Sequence, residues 1–269
     1  MAKRALCVGI NSYPIAGMDL YGCVNDATAW AALLKEHYDF AKADIRVLTD
    51  RAATKRAIVG GLGELLSGAR SGDVLVFTNS SHGTYLADRD GDDALYDEAL
   101  CPYDTSDAVL VDDELRELFA DLPRGVRLTV ISDSCHSGSL TREPPGAALL
   151  TPDERRKRYI DPKVLGRRDL RDVRRTAAPR RGSVYPEAEM KELLLSGCRS
   201  DQYSYDARFG RTAHGAMTYT ALTLIEAAGY RLSYRRLHRA LGPALGDAGF
   251  DQEPQLEGRV TFKRRQVFT

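Results

Sequence analysis

The sequence predicts an α/β sandwich around a mostly parallel central sheet, and three observations point there. Short β-branched and aliphatic runs alternate with stretches whose apolar residues recur at helical spacing. Several of those runs are apolar at every position, as strands buried between two helical layers are. The 269 residues, 43 % hydrophobic and 28 % charged, fit one large globular domain, or one and a half, and exclude a disordered chain.

The first run, Ala5-Leu6-Cys7-Val8-Gly9-Ile10, precedes Trp30, Leu33, Leu34 and Tyr38 at helical spacing, which opens a βα unit. Ile45-Arg46-Val47-Leu48-Thr49 follows as a strand, then Ile58, Leu62, Leu65 and Leu66 as one helical face. Val74-Leu75-Val76-Phe77 has the continuous apolarity of a central strand. A polar loop is expected from Ser80 to Asp104, then a helix carrying Leu115, Leu118, Phe119 and Leu122, and a fourth strand at Leu128-Thr129-Val130-Ile131-Ser132. Leu193-Leu194-Leu195-Ser196-Gly197 reads as a fifth strand. Met217, Ala221, Leu224, Ile225 and Ala228 mark a helix, Leu237, Leu241 and Leu245 another, and Val260-Thr261-Phe262 a last strand. Parallel strands joined in this way need right-handed crossovers.

Charge is balanced overall, with 38 Lys and Arg against 38 Asp and Glu. That argues against a globally cationic binder of nucleic acid or anionic membrane. The balance is uneven along the chain. Residues 141–182 hold 13 basic and 6 acidic residues, a net of +7, with Pro144, Pro145, Pro152, Pro162 and Pro179 and no sustained apolar period. The segment is expected to be an exposed, poorly ordered insertion between a first part of the domain, 1–140, and its remainder, 183–269.

No apolar stretch reaches the roughly 18 to 20 residues that span a bilayer, and Met1-Ala2-Lys3-Arg4 leads straight into the first strand, so a cytoplasmic protein is expected. Cys7, Cys23, Cys101, Cys135 and Cys198 are odd in number, widely spaced and lack a Cys-x-x-Cys pair. Neither a disulfide framework nor a zinc site is expected, and a single reactive thiol is the feature to seek.

In an open α/β sheet, functional groups collect beyond the carboxyl ends of the strands. After Val74 to Phe77 the chain reads Thr78-Asn79-Ser80-Ser81-His82-Gly83-Thr84, and after Leu128 to Ser132 it reads Asp133-Ser134-Cys135-His136-Ser137-Gly138-Ser139. A cysteine needs a nearby imidazole to act as a nucleophile at neutral pH, and the same imidazole can protonate the leaving amine. His82 and Cys135 are the candidate pair, and the amides of Gly83 and Cys135 the candidate oxyanion hole. A lone His or Cys is more often a packed core residue. Two of them just past apolar strands, in loops containing glycine, reverse that preference.

Ser81-His82-Gly83, Asp133-Ser134-Cys135-His136-Ser137-Gly138 and Ser196-Gly197-Cys198-Arg199-Ser200-Asp201-Gln202 together resemble the peptidase domain of the metacaspases and related bacterial caspase-like proteases. Gly22-Cys23-Val24-Asn25-Asp26-Ala27, Tyr96-Asp97-Glu98 and Glu253-Pro254-Gln255-Leu256 extend the likeness over most of the chain. The family commonly has Gly-His-Gly where this chain has Ser81-His82-Gly83. The resemblance implies a caspase-like αβα sandwich and a cysteine endopeptidase with His82 as general acid/base and Cys135 as nucleophile. It also implies cleavage after Arg or Lys in protein or peptide substrates, a monomer, and room for an activating or inhibitory protein partner.

The specificity has a physical argument of its own. Asp133 precedes Cys135 by two residues, so an extended chain places its carboxylate on the nucleophile's face, where it favours a cationic substrate side chain. The resemblance implies a pocket of Cys23, Asp26, Ser80 and Asp133. The plain alternative for Asp26 is an N-cap of the helix containing Trp30.

No cofactor is required on this reading, and calcium is the one metal to weigh. Asp88-Arg89-Asp90-Gly91-Asp92-Asp93 is rich in oxygen ligands, yet it breaks the EF-hand pattern, with Asp93 at position six and Ala99 at position twelve. The resemblance implies calcium ligands at Asp97, Asp112 and Asp113, but a further acidic position of the family falls on or near Arg142. Asp112 or Asp113 can equally begin the helix of Leu115 to Leu122.

The basic insertion reads as a solvated linker, as a polybasic patch with Tyr159 its one aromatic residue, or as a tethered substrate. The last is the expectation for an enzyme that prefers Arg or Lys: self-cleavage between Arg155 and Arg181, with Arg155, Arg156, Arg158, Arg168, Arg175 and Arg181 as candidates, or occupation of the active site by this loop. Cys7, Cys101 and Cys198 are expected to be buried structural residues, with His37, His136, His214 and His238 outside catalysis. The rival readings are a catalytically silent scaffold, against which the retention of both His82 and Cys135 counts, and peptide ligation.

Overall fold

The computed structural model describes residues 1–87, 96–135, 155–166 and 187–269. Its centre is a six-stranded sheet of β1 (Lys3–Gly9), β2 (Ile45–Thr49), β3 (Val74–Ser80), β7 (Arg127–Asp133), β9 (Glu192–Ser196) and β12 (Gln255–Glu257), in the order β12-β9-β7-β3-β1-β2. All neighbours are parallel except β12, which pairs antiparallel with β9 at the edge. Two three-stranded antiparallel sheets lie apart from it. One joins β4 (Gly83–Ala87), β5 (Tyr96–Leu100) and β6 (Leu110–Val111); the other joins β8 (Arg155–Lys157), β10 (Tyr205–Phe209) and β11 (Thr212–Gly215).

Alternation along the strands explains their continuous apolarity. Leu6, Val8, Leu75, Phe77, Leu128 and Val130 face one side, where they pack with α2 (Lys55–Leu66) and α3 (Asp112–Ala120). Ala5, Cys7, Val74, Val76, Ile131, Leu193 and Leu195 face the other, against α1 (Cys23–His37), α4 (Ala216–Ala227) and α5 (Tyr234–Asp247). Each central strand is therefore covered twice, the condition that removes polar residues from it.

Local chemistry starts the helices. Thr54 caps α2 by accepting from the Ala57 amide, and Ser233 caps α5 by accepting from Arg236. The helix α1 begins after Gly22, with no cap from its own side chains; instead Asn11, beyond β1, accepts from the amides of Cys23 and Val24. Asp26 thus lies inside the first turn rather than at the N-cap, because its carboxylate is turned to another use. No helix among the described residues is long and apolar enough to cross a membrane.

Three expectations change. Val260-Thr261-Phe262 lies in a short helix, α6 (Val260–Lys263), and the last strand is the preceding Gln255–Glu257. A β-branched and aromatic triplet does not distinguish the two, and an edge strand with one apolar residue carries little signal. The stretch from Ser80 to Asp104 contains β4 and β5 and is not simply a loop. Most important, the basic segment is not exposed throughout: Arg155 to Lys157 form a strand on β10, and Arg158 has no exposed surface. Charge composition alone suggested solvent, whereas buried carboxylates meet this guanidinium.

At Gly9, where α1 crosses the end of β1, a Cβ would overlap the Cys23 carbonyl oxygen and come within 2.9 Å of the Ala27 Cβ. In a Cys135→Ala background, Gly9→Ala is expected to cost about 1–3 kcal/mol of stability by chemical denaturation.

Candidate active site

The site is set by the central strand pair. β3 and β7 run parallel, with Ser80 opposite Asp133, so the chain leaves both strands at the same level. His82 lies two residues past one end and Cys135 two residues past the other, both buried. The register explains why a His and a Cys 53 positions apart serve one site.

His82 is held on several sides. Its amide donates to the Tyr13 hydroxyl at 3.1 Å, and that hydroxyl donates to the Cys101 carbonyl at 3.0 Å. The Tyr13 ring lies tilted against the imidazole at 5.0 Å between centroids. The His82 Nε2–H donates to the Met18 carbonyl at 2.7 Å, which selects the tautomer whose Nδ1 carries a lone pair. Nδ1 makes no well-formed hydrogen bond among the described residues, and the backbone of Arg158 lies near the ring. The Cys135 Sγ sits against Ser204, whose amide donates to it at 2.6 Å and whose carbonyl accepts from it at 3.2 Å.

Arg158 occupies the space these groups enclose. Its carbonyl oxygen accepts from the Gly83 amide at 3.0 Å and the Cys135 amide at 3.1 Å, the two donors expected for an oxyanion. Its amide donates to the Ser204 carbonyl at 3.0 Å. The guanidinium donates to Asp26 Oδ2 at 2.7 Å, Asp206 Oδ1 at 3.1 Å and the Asp133 carbonyl at 2.9 Å, with Asp133 Oδ2 at 3.4 Å. Residues 155–157 pair antiparallel with β10, and beyond Arg158 the Ile160 amide donates to the Gly83 carbonyl. The segment is thus pinned on both sides of one peptide bond, Arg158–Tyr159.

The carboxylates are also held by partners other than Arg158. Asp133 accepts from the amide and hydroxyl of Thr218, in the first turn of α4, and from the Ser204 hydroxyl. Asp26 accepts from the Gly215 amide and pairs with His214 Nδ1 at 2.9 Å. Asp206 accepts from the amides of Tyr21 and Gly22. Gly215 forms the wall: a Cβ there would overlap Asp133 Oδ2 and lie 2.5 Å from Arg158 Nη1. Burial disfavours the guanidinium's charge, but the groups around it, Cys23 and the three aspartates, outweigh burial and hold it well above its usual range. Burial also lifts the Asp206 carboxyl, against the pull of Arg158.

Of the four pocket residues expected, Asp26 and Asp133 meet the guanidinium directly. Cys23 is a buried thiol that burial pushes up, with Arg158 pulling it back, and Ser80 is buried at the end of β3. Asp206 and Ser204 were missed. Their one sequence signal is that they follow Asp201-Gln202 past the fifth strand, and no spacing rule points from there to residue 26. Cys198 is buried, and its interaction with Cys135 together with burial raises it well above its usual range.

The calcium set does not assemble. Asp97 is buried on β5, and Asp112 and Asp113 open α3, where the Arg116 guanidinium pairs with both, at 2.7 Å from Asp112. Among the described residues no group of three or more His, Cys, Asp or Glu is placed to hold a metal ion. Asp112 and Asp113 are thus paired with a guanidinium of the chain itself rather than left open to a metal ion. The 88–93 loop, Arg142, His136, Arg168, Arg175 and Arg181 lie outside the described residues.

Residues 3–144 match the family model for the metacaspase peptidase C14 domain. The chain is 32 % identical over 287 residues to Metacaspase-1A of Neurospora crassa, covering 94 % of this chain and 62 % of that protein. Across three of the curated relatives it spans 35 to 62 % of their length. A solved structure from Geobacter sulfurreducens superposes with a TM-score of 0.72 at 27 % identity, covering 100 % of this chain and 99 % of that one. Caspase-1 of Spodoptera frugiperda shares the fold, with a TM-score of 0.57 at 13 % identity over 99 % and 92 % of the two chains.

Burial pushes His82 down to about 4, so the enclosed imidazole is neutral at pH 7. An unfolded histidine titrates near 6.5, so this stability is present above about pH 6.5 and lost as pH falls through about 4. In a Cys135→Ala background, His82→Gln is expected to remove about 3 kcal/mol of the stability loss seen between pH 7 and pH 4, read from denaturation at each pH.

Proposed function

Because this chain belongs to the metacaspase peptidase family, we propose that it is a cysteine endopeptidase that cuts after Arg or Lys and whose first substrate is its own Arg158–Tyr159 bond. The observation that carries the reading is the position of Arg158: its guanidinium lies on three carboxylates while its carbonyl oxygen lies on the Gly83 and Cys135 amides.

To react, the Cys135 thiol leaves the Ser204 carbonyl and gives its proton to the His82 Nδ1 lone pair, and Sγ attacks the carbonyl carbon. The two amides take the charge that develops on oxygen. Collapse breaks the C–N bond, and the proton on Nδ1 passes to the leaving amine, which for the internal bond is that of Tyr159. A water molecule, deprotonated by the same imidazole, hydrolyses the thioester and frees the thiol. The pocket selects the residue before the cut because a neutral or acidic side chain would leave its carboxylates unpaired in a buried site.

Until that bond is cut, the segment excludes other substrates, since an intramolecular strand competes at high effective concentration. Calcium has no part in this reading, because Arg116 already supplies positive charge to Asp112 and Asp113.

Wild type is expected to accumulate a fragment beginning at Tyr159, identified by amino-terminal sequencing, and Cys135→Ala to remain intact. A new terminus elsewhere, with none at Tyr159, would overturn the internal site. On fluorogenic peptides, an ending in Arg or Lys should exceed one in Asp by roughly a thousandfold in kcat/KM, and Cys135→Ala should lose about a thousandfold or more. Equal rates with calcium and with chelator are expected; loss of activity in chelator would sink the calcium-free reading.

A further inference from the structure

The three residues before Arg158 are also cationic, and each lies over a tyrosine ring. Lys157 Nζ is 4.3 Å from the Tyr203 ring centroid, Arg156 Cζ is 4.5 Å from that of Tyr21, and Arg155 Cζ is 4.5 Å from that of Tyr205. Two of these side chains also donate to backbone carbonyls: Arg156 to Asp19 at 2.7 Å and Arg155 to Gly249 at 3.3 Å.

These rings come from two places. Tyr203 and Tyr205 lead into and begin β10, on which residues 155–157 pair as an added strand, with Lys157 opposite Tyr205 and Arg155 opposite Ala207. Alternation puts Lys157 and Arg155 on one face of that strand, so Tyr203 and Tyr205 meet them there. Arg156 points to the other face and meets Tyr21, which is 48 % exposed and immediately precedes Gly22, whose amide holds Asp206. Main-chain pairing of this kind accepts any sequence, so selection along an added strand comes from its side-chain contacts. A ring face attracts a cation through its quadrupole, without the desolvation cost of a buried carboxylate.

We propose that Tyr203, Tyr21 and Tyr205 are specificity-determining residues for the second, third and fourth positions before the cut, and that the preferred substrate is an exposed run of Lys and Arg rather than an isolated Arg or Lys. This rests on the reading that residues 155–158 lie as a substrate does. The enzyme's class of target is then a polybasic segment of a protein, of which its own 155–158 is one case.

The test compares the full-length enzyme on four fluorogenic tetrapeptides, Arg-Arg-Lys-Arg, Arg-Arg-Ala-Arg, Arg-Ala-Lys-Arg and Ala-Ala-Ala-Arg. Replacing the Lys at the second position or the Arg at the third by Ala is expected to lower kcat/KM about threefold, and replacing all three, the fourth included, about thirtyfold. Tyr203→Leu should abolish the preference at the second position and Tyr21→Leu that at the third, measured as ratios between peptides within one variant. Tyr203→Phe and Tyr21→Phe, which keep the ring and lose only the hydroxyl, should retain both ratios. Leucine variants that keep the wild-type ratios, or phenylalanine variants that lose them, would overturn the assignment to ring faces. Equal cleavage of all four peptides would overturn the subsites and leave the choice of Arg before the cut standing. Cleavage of none would overturn both.

Discussion

A guanidinium with no exposed surface is the constraint around which this site is organised. A charge taken out of water must be met by opposite charge and by hydrogen bonds in good geometry, or the fold loses several kcal/mol. Arg158 meets that requirement with Asp26 from α1, Asp133 from the end of β7 and Asp206 from β10. Those three elements must close on one point. The carboxylates are in turn oriented by the amides of Gly215, Thr218, Tyr21 and Gly22, so the backbone of two further segments, 21–22 and 215–218, is committed to the same cluster. Apolar residues of similar volume would pack at less electrostatic cost, so the cluster is a weak source of stability, which supports the proposed selection of a cation.

The reacting groups inherit their geometry from the sheet. A parallel pair in register delivers two loops to one level, and the loops differ only in what they carry: an imidazole after β3, a thiol after β7. His82 receives its orientation from Met18 and Tyr13, outside the strand pair. With Nε2 donating, Nδ1 carries the basic lone pair on the side where Arg158 lies. Burial lowers the imidazole's proton affinity and the positive charges of Arg158 and Arg156 lower it further, and so the occupying segment and the protonation state of the imidazole are linked.

Two arginines in this chain have opposite origins. Arg116 meets Asp112 and Asp113 across one helical turn, an arrangement that spacing of three and four residues already implies. Arg158 meets Asp133, Asp206 and Asp26 across 25, 48 and 132 positions, and no local rule connects them. The first pairing bears on whether calcium fits, and the second on what the pocket accepts. Reading only local charge would rank them alike.

The alternation of apolar runs with helical spacing determined the sandwich, because burial on two faces is written into each strand's own residues. The motifs around His82 and Cys135 determined the candidate chemistry, because both stand just past such strands in loops that contain glycine. Asp133 was legible from its two-residue offset to the nucleophile. Asp206 and the three tyrosines were not, since nothing in a single segment records what will lie across from it. The sequence also presented residues 155–158 as part of a charged, proline-containing stretch, to be placed in solvent by composition. Only the tertiary structure decided otherwise, because the charge that makes a segment soluble when alone becomes a reason for burial once three fixed carboxylates, distant along the chain, converge on the same few ångströms.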